Sequence, residues 1–192
     1  YFNYNGGEGD GMIKEEDLPI AVEIHRGNRK AMECLVREYE DKLFTYAFYM
    51  IKQDDEAKDI IQEAFIKAYS TLTGQYDEQT CLTLAVNAWL FRIVRNMSLN
   101  RIRSYRRRQK AHEEIGNTEN ERVFPQNNQT SVGVMKFALQ KLGQDSRELI
   151  TLRFIDDLRY SEIVAIVGTT ESAVRGKIYR ILKKLRKLME DT

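Results

Sequence analysis

The chain is poor in several residue types on which particular functions depend. Its 192 residues include two cysteines, two histidines, two prolines and one tryptophan. Cys34 and Cys81 form no CxxC pair, and His25 and His112 add no recognisable ligand spacing. A bound metal needs three or four converging ligands, so the sequence argues against a zinc site. We expect two unpaired thiols, as is usual in a reducing compartment.

Long apolar runs are also absent. None approaches the roughly 20 residues that a membrane-spanning helix needs, and no signal-peptide pattern is present. We therefore expect a cytoplasmic protein without direct membrane insertion. Residues 1–11 are rich in glycine and acids, and we expect them to be an expression-derived or disordered leader that takes no part in the fold.

Acidic residues are missing from two long stretches, residues 88–112 and 172–189. Together these stretches hold fifteen of the thirty Lys and Arg residues and none of the twenty-nine acids. The formal net charge of +1 therefore conceals two cationic patches in an acidic remainder. Nucleic-acid phosphates favour such patches, because each Lys or Arg contact releases condensed counterions. The charge pattern predicts a nucleic-acid-binding protein.

Helical periodicity covers most of the chain and predicts an all-α fold. We expect helices at residues 20–27 and 29–50, broken at Gly27-Asn28, and a helix resuming near Asn87. The clearest apolar stripe lies between them, at i, i+3, i+4 spacing: Ala57, Ile60, Ile61, Ala64, Phe65, Ala68 and Leu72. Residues 73–83 interrupt the pattern and are predicted to form a loop.

A polar, acidic segment divides the chain into two domains. Residues 109–133 cannot bury enough apolar surface to offset their ordering entropy, which predicts a linker. Beyond it we expect a helix pair at 135–142 and 146–154, then a short helix at 161–167 ended by Gly168. Thr170 is placed to cap a basic helix whose apolar stripe is Val174, Ile178, Ile181, Leu182, Leu185 and Leu188.

A short helix, a glycine-containing turn and a basic helix form a helix-turn-helix pattern. The start of the basic helix would enter the major groove, with Glu171, Ser172, Arg175 and Lys177 near base edges and Arg180 nearer the backbone. The alternative is an ordinary basic solvent face on a bundle helix. The absence of acids over eighteen residues favours the DNA-binding interpretation.

The other acid-free stretch places aromatic residues among arginines, as a surface that stacks unpaired bases requires. Its aromatics are Trp89, Phe91 and Tyr105. Phe91 is expected in the core, whereas Trp89 fits a core position and a base-stacking position equally well. On the preceding helix, Asp59, Gln62, Glu63 and Lys67 lie opposite the apolar stripe, and by themselves they indicate only a solvated face.

Catalytic constellations are missing. The sequence contains no Gly-rich phosphate loop, nucleophile motif, acid/base pair or triad. We therefore predict that the protein is not an enzyme and has neither a cofactor nor a small-molecule substrate.

Taken in order, these segments resemble an alternative sigma factor of the extracytoplasmic-function group of the sigma-70 family. Residues 55–69 resemble that family's core-binding helix in region 2, and residues 89–96 resemble its promoter-melting segment. Residues 147–154, with the helix-turn-helix, resemble its region 4. The resemblance implies two small helical domains, region 2 at 12–110 and region 4 at 133–192, joined by a flexible linker at 111–132.

The resemblance also implies partners and site residues. The first domain would bind the β′ clamp helices of core RNA polymerase through Asp59, Gln62, Glu63, Phe65 and Lys67. It would recognise and open the promoter −10 element through Gln79, Thr80, Asn87, Trp89, Arg92, Arg95, Asn96, Arg101 and Arg103. The second domain would lie on the β flap and recognise the −35 element of promoter DNA through Thr170, Glu171, Ser172, Arg175, Lys177 and Arg180. An anti-sigma factor would cover the polymerase-binding surfaces.

A stand-alone helix-turn-helix regulator is the alternative from a different class. Its N-terminal domain would dimerise or sense a ligand, and it would bind a palindromic operator as a dimer. The cationic run in residues 89–108 argues against this alternative, because a sensor domain has no need for it.

Overall fold

The computed structural model describes residues 18–113 and 142–190. The predicted leader, most of the predicted linker and the helix predicted at 135–142, apart from Leu142, lie outside these ranges. Neither described range contains a strand. Within them, no helix has the length and apolar character needed to cross a bilayer.

The first range forms the N-terminal bundle of five helices, α1 to α5. Their bounds are Ile20–His25, Arg29–Ile51, Asp54–Gly74, Glu78–Thr83 and Val86–Glu113. The predicted break between α1 and α2 is confirmed, because Gly27 has φ 86° and Asn28 caps α2. The Asn28 Oδ1 atom accepts hydrogen bonds from the amides of Lys30 and Ala31, at 3.0 and 3.3 Å. The last helix, α5, extends into the segment predicted as linker.

The core of the N-terminal bundle lies between α2, α3 and α5, with α1 packed across α2 and α3. The predicted stripe on α3 is confirmed, since each of its seven residues is at most 8% exposed. Phe91 of α5 is fully buried, as expected, and its ring meets that of Tyr46 edge-on at 5.4 Å. These contacts fix α5 against α2.

The loop predicted at residues 73–83 is wrong in part. The third helix continues to Gly74, and residues 78–83 form the short helix α4. Asp77 caps α4 by accepting a hydrogen bond from the Thr80 amide at 2.8 Å, and Cys81 is fully buried. Six residues that contribute one fully buried side chain are too few to produce a periodic pattern, so the sequence did not show this helix.

The second range forms the C-terminal domain of three helices. Helix α6 (Gln144–Ile150) continues into a π-helical turn (Thr151–Ile155), and α7 (Tyr160–Val167) and α8 (Glu171–Glu190) follow. The predicted end of α7 is confirmed, because Gly168 has φ 72°. Thr170 caps α8 as predicted, its Oγ1 accepting from the Ala173 amide at 3.3 Å. Together α7 and α8 form the predicted helix-turn-helix.

The predicted stripe of α8 is correct except at one described position. Val174, Ile178, Ile181 and Leu185 are buried, whereas Leu182 is 42% exposed. The buried residues recur every three or four positions, and Leu182 is turned about 100° away from Ile181 around the helix. The Leu188 side chain lies outside the description.

The two parts pack directly against each other. Helix α2 contacts α6 and the π-helical turn, and α5 contacts α7. The face of α5 turned toward α7 belongs to the acid-free stretch at residues 88–112. The C-terminal domain therefore lies over part of the predicted −10 surface.

We expect Phe91→Ala to lower the free energy of unfolding by about 3–5 kcal/mol, because it leaves a cavity beside Tyr46. Urea denaturation would measure the loss. Ile66→Ala is the matched control, since Ile66 is 70% exposed on α3 and its truncation should change stability by less than about 0.5 kcal/mol. Equal effects for the two variants would contradict the placement of Phe91 in the core.

Candidate nucleic-acid interface

The predicted −35 residues form one exposed surface at the start of α8. Thr170, Glu171, Ser172, Arg175, Lys177 and Arg180 are all exposed. The hydrogen bond from Ala173 to Thr170 fixes the first turn, and a helix start of this kind is the part of a helix-turn-helix that contacts base edges. Gly176 lies on this helix with open space where a Cβ would stand, so packing within the chain does not require glycine there.

The side chain of Arg175 is held in place by contacts with two other side chains. Its Nε and Nη2 atoms both donate to Oε1 of Glu171, at 2.8 and 2.6 Å. Its guanidinium carbon lies 4.0 Å from the ring centroid of Tyr160, the first residue of α7. No local pattern in the sequence indicates Tyr160, because the ring and the guanidinium meet only once the turn has folded.

The predicted −10 residues are divided among three environments. Gln79 and Thr80 are exposed on α4, while Asn96 and Arg103 are exposed on α5. Trp89 is half-buried, with its ring 5.9 Å from that of Tyr76 and tilted by 46°. Trp89 thus belongs to the rim of the core and keeps part of its ring at the surface.

Three of the predicted −10 residues donate hydrogen bonds to the C-terminal domain. The Asn87 amide donates to Glu162 Oε1 at 2.7 Å, and Arg92 Nη2 donates to the Ala165 carbonyl at 2.8 Å. Ala165 lies in the last turn of α7, where carbonyls lack partners within the helix, so Arg92 satisfies one of them. Arg95 Nε donates to Glu148 Oε1 at 2.5 Å.

Glu148 is the centre of this interdomain contact. It is only 4% exposed, and the Tyr46 hydroxyl donates to the same Oε1 atom at 2.8 Å. Burial raises the pKa of Tyr46 well above its ordinary value, and the negative charge of Glu148 and the hydrogen bond to it raise it further. Burial opposes the charge of Arg95, but the hydrogen bond and attraction from Glu148 outweigh it and raise the pKa of Arg95. The three side chains form one buried charged cluster.

A second buried carboxylate lies at the same contact. Burial raises the pKa of Asp156 to about 7, against the attraction of Lys42 on α2. The pKa values of Tyr46 and Tyr49 are raised mainly by burial, and the nearby charge of Asp156 contributes to raising both. The Asp156 Oδ2 atom has no hydrogen-bond partner within the described part of the chain. One oxygen of Asp156 thus lies at the junction of the two domains without a hydrogen-bond partner among the described residues.

The predicted polymerase-binding face of α3 is exposed, with one exception. Asp59, Gln62, Glu63 and Lys67 are exposed. Phe65 belongs to the apolar stripe, is only 8% exposed and presents little surface to a partner. The face also carries two exposed apolar residues that the sequence analysis did not select, Ile66 and Tyr69, at 70% and 42% exposure.

Arg101 connects the two candidate surfaces of the N-terminal bundle. Its Nη1 atom lies 2.6 Å from Glu56 Oε2, and its Nη2 atom lies 3.3 Å from Glu63 Oε1. Both carboxylates are on α3. One predicted −10 residue is therefore paired with one predicted polymerase-binding residue.

The cysteines are free in the structure, Cys34 exposed and Cys81 buried. Within residues 18–113 and 142–190, no group of three or more His, Cys, Asp or Glu side chains is arranged to bind a metal ion.

An exposed helix-turn-helix joined to an aromatic, arginine-rich helix defines a two-part, all-helical DNA-binding protein. Residues 35–108 match the family described as Sigma-70 region 2, and residues 135–185 match the one described as Sigma-70, region 4. The chain belongs to the sigma-70 family of RNA polymerase sigma factors, in the extracytoplasmic-function group, and is an alternative sigma factor. The family is one of transcription initiation factors.

Relatives support this assignment over most of the chain. The ECF RNA polymerase sigma-E factor of Escherichia coli (strain K12) is 30% identical over 85% of this chain and 89% of its own. The ECF RNA polymerase sigma factor SigW of Bacillus subtilis (strain 168) is 29% identical over 88% of this chain and 94% of its own. The solved structure of CnrH in complex with the cytosolic domain of CnrY is 28% identical, with a TM-score of 0.64 over 90% of this chain and 96% of that one.

These matches decide between the two hypotheses from the sequence. A stand-alone regulator would have a sensor or dimerisation domain before its helix-turn-helix. Residues 35–108 instead match Sigma-70 region 2, so the stand-alone hypothesis is not supported.

We expect the contact between the two domains to weaken as pH rises through 7. Burial raises the pKa of Asp156 from 3.8 to about 7, so the packed arrangement favours the protonated carboxyl. The stabilisation of the packed arrangement by the protonated carboxyl is complete below about pH 4 and is lost as the pH rises through 7. Small-angle scattering between pH 5.5 and 8.5 would show the radius of gyration increasing with pH.

Asp156→Asn is the control, because it keeps the shape of the side chain and removes the titration. This variant should remain compact over the whole pH range. An identical pH dependence in the variant would show that another group is responsible.

Proposed function

We propose that the chain directs core RNA polymerase, in the cytoplasm, to promoters whose −35 element is recognised as duplex by α8 and whose −10 element is opened at α4 and α5. The observation that carries the −35 assignment is the exposure of every predicted residue at the start of α8. Arg180 on this helix supplies charge for the DNA backbone, and Arg175 and Lys177 supply donors for base edges. The half-buried Trp89 supports the −10 assignment, since it leaves part of a ring at the surface for an unpaired base.

The exposed face of α3 supports a role in binding polymerase. It combines Asp59, Gln62, Glu63 and Lys67 with the exposed side chains Ile66 and Tyr69. Polar groups around exposed apolar ones are the usual composition of a protein interface. By resemblance to the family, this face would bind the β′ clamp helices.

Exposed apolar residues support a second polymerase contact on the C-terminal domain. Phe154 and Ile155 of the π-helical turn are 53% and 39% exposed, and by resemblance this domain would lie on the β flap. The solved relative CnrH is bound to the cytosolic domain of a second protein, CnrY. An anti-sigma factor that covers these surfaces is accordingly part of the proposal.

The packing between the domains implies that recognition of the −10 element requires their separation. Asn87, Arg92 and Arg95 donate to Glu162, Ala165 and Glu148 of the C-terminal domain. While they do so, the donor groups used in these three bonds are not available to DNA. In the packed arrangement these interdomain bonds therefore compete with the −10 element for Asn87, Arg92 and Arg95.

Promoter-specific transcription with purified core polymerase tests the proposed function, using a promoter identified from transcript 5′ ends after overproduction of the protein. Replacing Asp59 and Gln62 together by alanine should weaken binding to core polymerase about fivefold or more, as loss of an important interface contact does. Asp41→Ala, an exposed acid of α2, is the control and should leave the affinity unchanged.

Two results would contradict the proposal. Equal binding to the promoter with and without core polymerase would show that the chain acts alone. Unchanged affinity of the Asp59 and Gln62 variant for core polymerase would remove this face of α3 from the interface.

We expect Glu148→Ala to separate the domains and expose the −10 residues. Removing one partner of a buried charged cluster costs about 3–5 kcal/mol, and Tyr46 and Arg95 both lose their acceptor. The isolated protein should then bind a single-stranded −10 oligonucleotide more tightly. Fluorescence of Trp89, the chain's one tryptophan, reports on binding at this face.

Asp157→Ala is the matched control for Glu148→Ala. It also removes an acid from the C-terminal domain, but Asp157 has a 92% exposed side chain and pairs with Arg153 of the same domain. A compact Glu148→Ala protein, or one with unchanged oligonucleotide affinity, would show that Glu148 does not hold the domains together.

A further inference from the structure

Arg175 is fixed from two directions, although it lies on an exposed helix. Glu171, four residues earlier on α8, accepts two of its N–H groups. The ring of Tyr160 covers its guanidinium at 4.0 Å. Tyr160 is itself half-buried and packs against the core of the C-terminal domain. The ring therefore connects an exposed arginine to a rigid part of the fold.

The geometry leaves one edge of the Arg175 guanidinium for a ligand. Glu171 occupies the Nε and Nη2 side, and a guanidinium has five N–H donors in a fixed fork. The edge formed by Nη1 and Nη2 retains donors on both nitrogens. Two parallel donors of this kind match the O6 and N7 acceptors of guanine in the major groove.

Rigidity matters here because a free arginine side chain has considerable rotamer entropy, part of which is lost on binding. An arginine that is already ordered loses less of it on binding, and its donors are aligned before DNA arrives. The attraction between a guanidinium and an aromatic face favours one orientation of the side chain. Tyr160 is thus in a position to influence recognition without touching a base.

The ring of Tyr160 is also in contact with a second arginine. The Arg153 guanidinium carbon lies 5.4 Å from the Tyr160 centroid, and Arg153 Nη1 donates to Asp157 Oδ1 and to the Leu158 carbonyl at 3.1 and 3.2 Å. The segment before α7 is thereby tied to the same ring. Tyr160 joins this segment to the DNA-facing surface of α8.

We propose that Tyr160 is a positioning residue for −35 recognition, and that its ring orients Arg175 for a bidentate contact with one guanine. The inference rests on the proposed role of α8 at the −35 element. It adds a residue of α7, the other helix of the motif, to the determinants of promoter specificity.

A double-mutant cycle on the full chain, assembled with core polymerase, tests this proposal. The four proteins are the wild type, Tyr160→Leu, Arg175→Ala and the double variant, and the probes are duplex promoters substituted one base pair at a time across the −35 element. Tyr160→Leu should reduce discrimination by about two- to fivefold at the single base pair on which Arg175 acts. In the Arg175→Ala background the same substitution should have no effect on discrimination.

Tyr160→Phe is the matched control, because it keeps the ring and loses only the hydroxyl. It should restore discrimination to the wild-type value. The thermal midpoint of each variant, measured in parallel, shows whether the domain stays folded at the assay temperature.

The outcomes separate the inference from the function on which it rests. If Arg175→Ala does not change discrimination at any single base pair, the proposed role of Arg175 is wrong, and the inference about Tyr160 is wrong with it. If Arg175→Ala reduces discrimination at one base pair but Tyr160→Leu does not, the inference about Tyr160 is wrong and the role of Arg175 stands. A Tyr160→Leu loss that is uniform across all duplexes would assign Tyr160 a purely structural role, and so would equal losses for Tyr160→Leu and Tyr160→Phe.

Discussion

The pairing of one buried carboxylate, that of Glu148, organises the junction between the two halves of the molecule. Glu148 is 4% exposed, and its donors come from two helices of the other domain, Tyr46 on α2 and Arg95 on α5. An unpaired charge at that depth would cost several kcal/mol. Docking of α6 supplies the pairing, and the same docking brings α7 within reach of Asn87 and Arg92. The pairing of Glu148 therefore determines which parts of α5 are accessible.

The two acid-free stretches look alike in the sequence and differ in the structure. The stretch on α8 keeps its cations at the surface. The acid that binds Arg175 is Glu171, which lies directly before the stretch. On α5, two arginines of the stretch are paired with acids of other helices, Arg95 with Glu148 and Arg101 with Glu56 and Glu63. Because phosphate attraction depends on uncompensated charge, these two pairs reduce the attraction that α5 can exert on DNA in the packed state.

Local patterns in the sequence predicted most of the helices, the stripe on α3, the glycine that ends α7 and the cap at Thr170, since each depends on neighbours within a few residues. They did not predict α4, which is too short for a period, or the exposure of Leu182. They also gave no sign of the cluster at Glu148, because Tyr46 lies 102 residues away. The local sequence shows only that an acid, Glu148, precedes the apolar residues Leu149 and Ile150. Its partners are defined by tertiary packing.

Arg101 gives the N-terminal bundle a property that neither of its surfaces has alone. Its guanidinium is shared between Glu56 and Glu63, so a ligand that engages Glu63 weakens the hold on Arg101. The reverse also holds, because an effect of one bound partner on another is reciprocal in free energy. Two ligands that never touch each other can thereby bind cooperatively across the width of a single helix pair, with one side chain as the thermodynamic link.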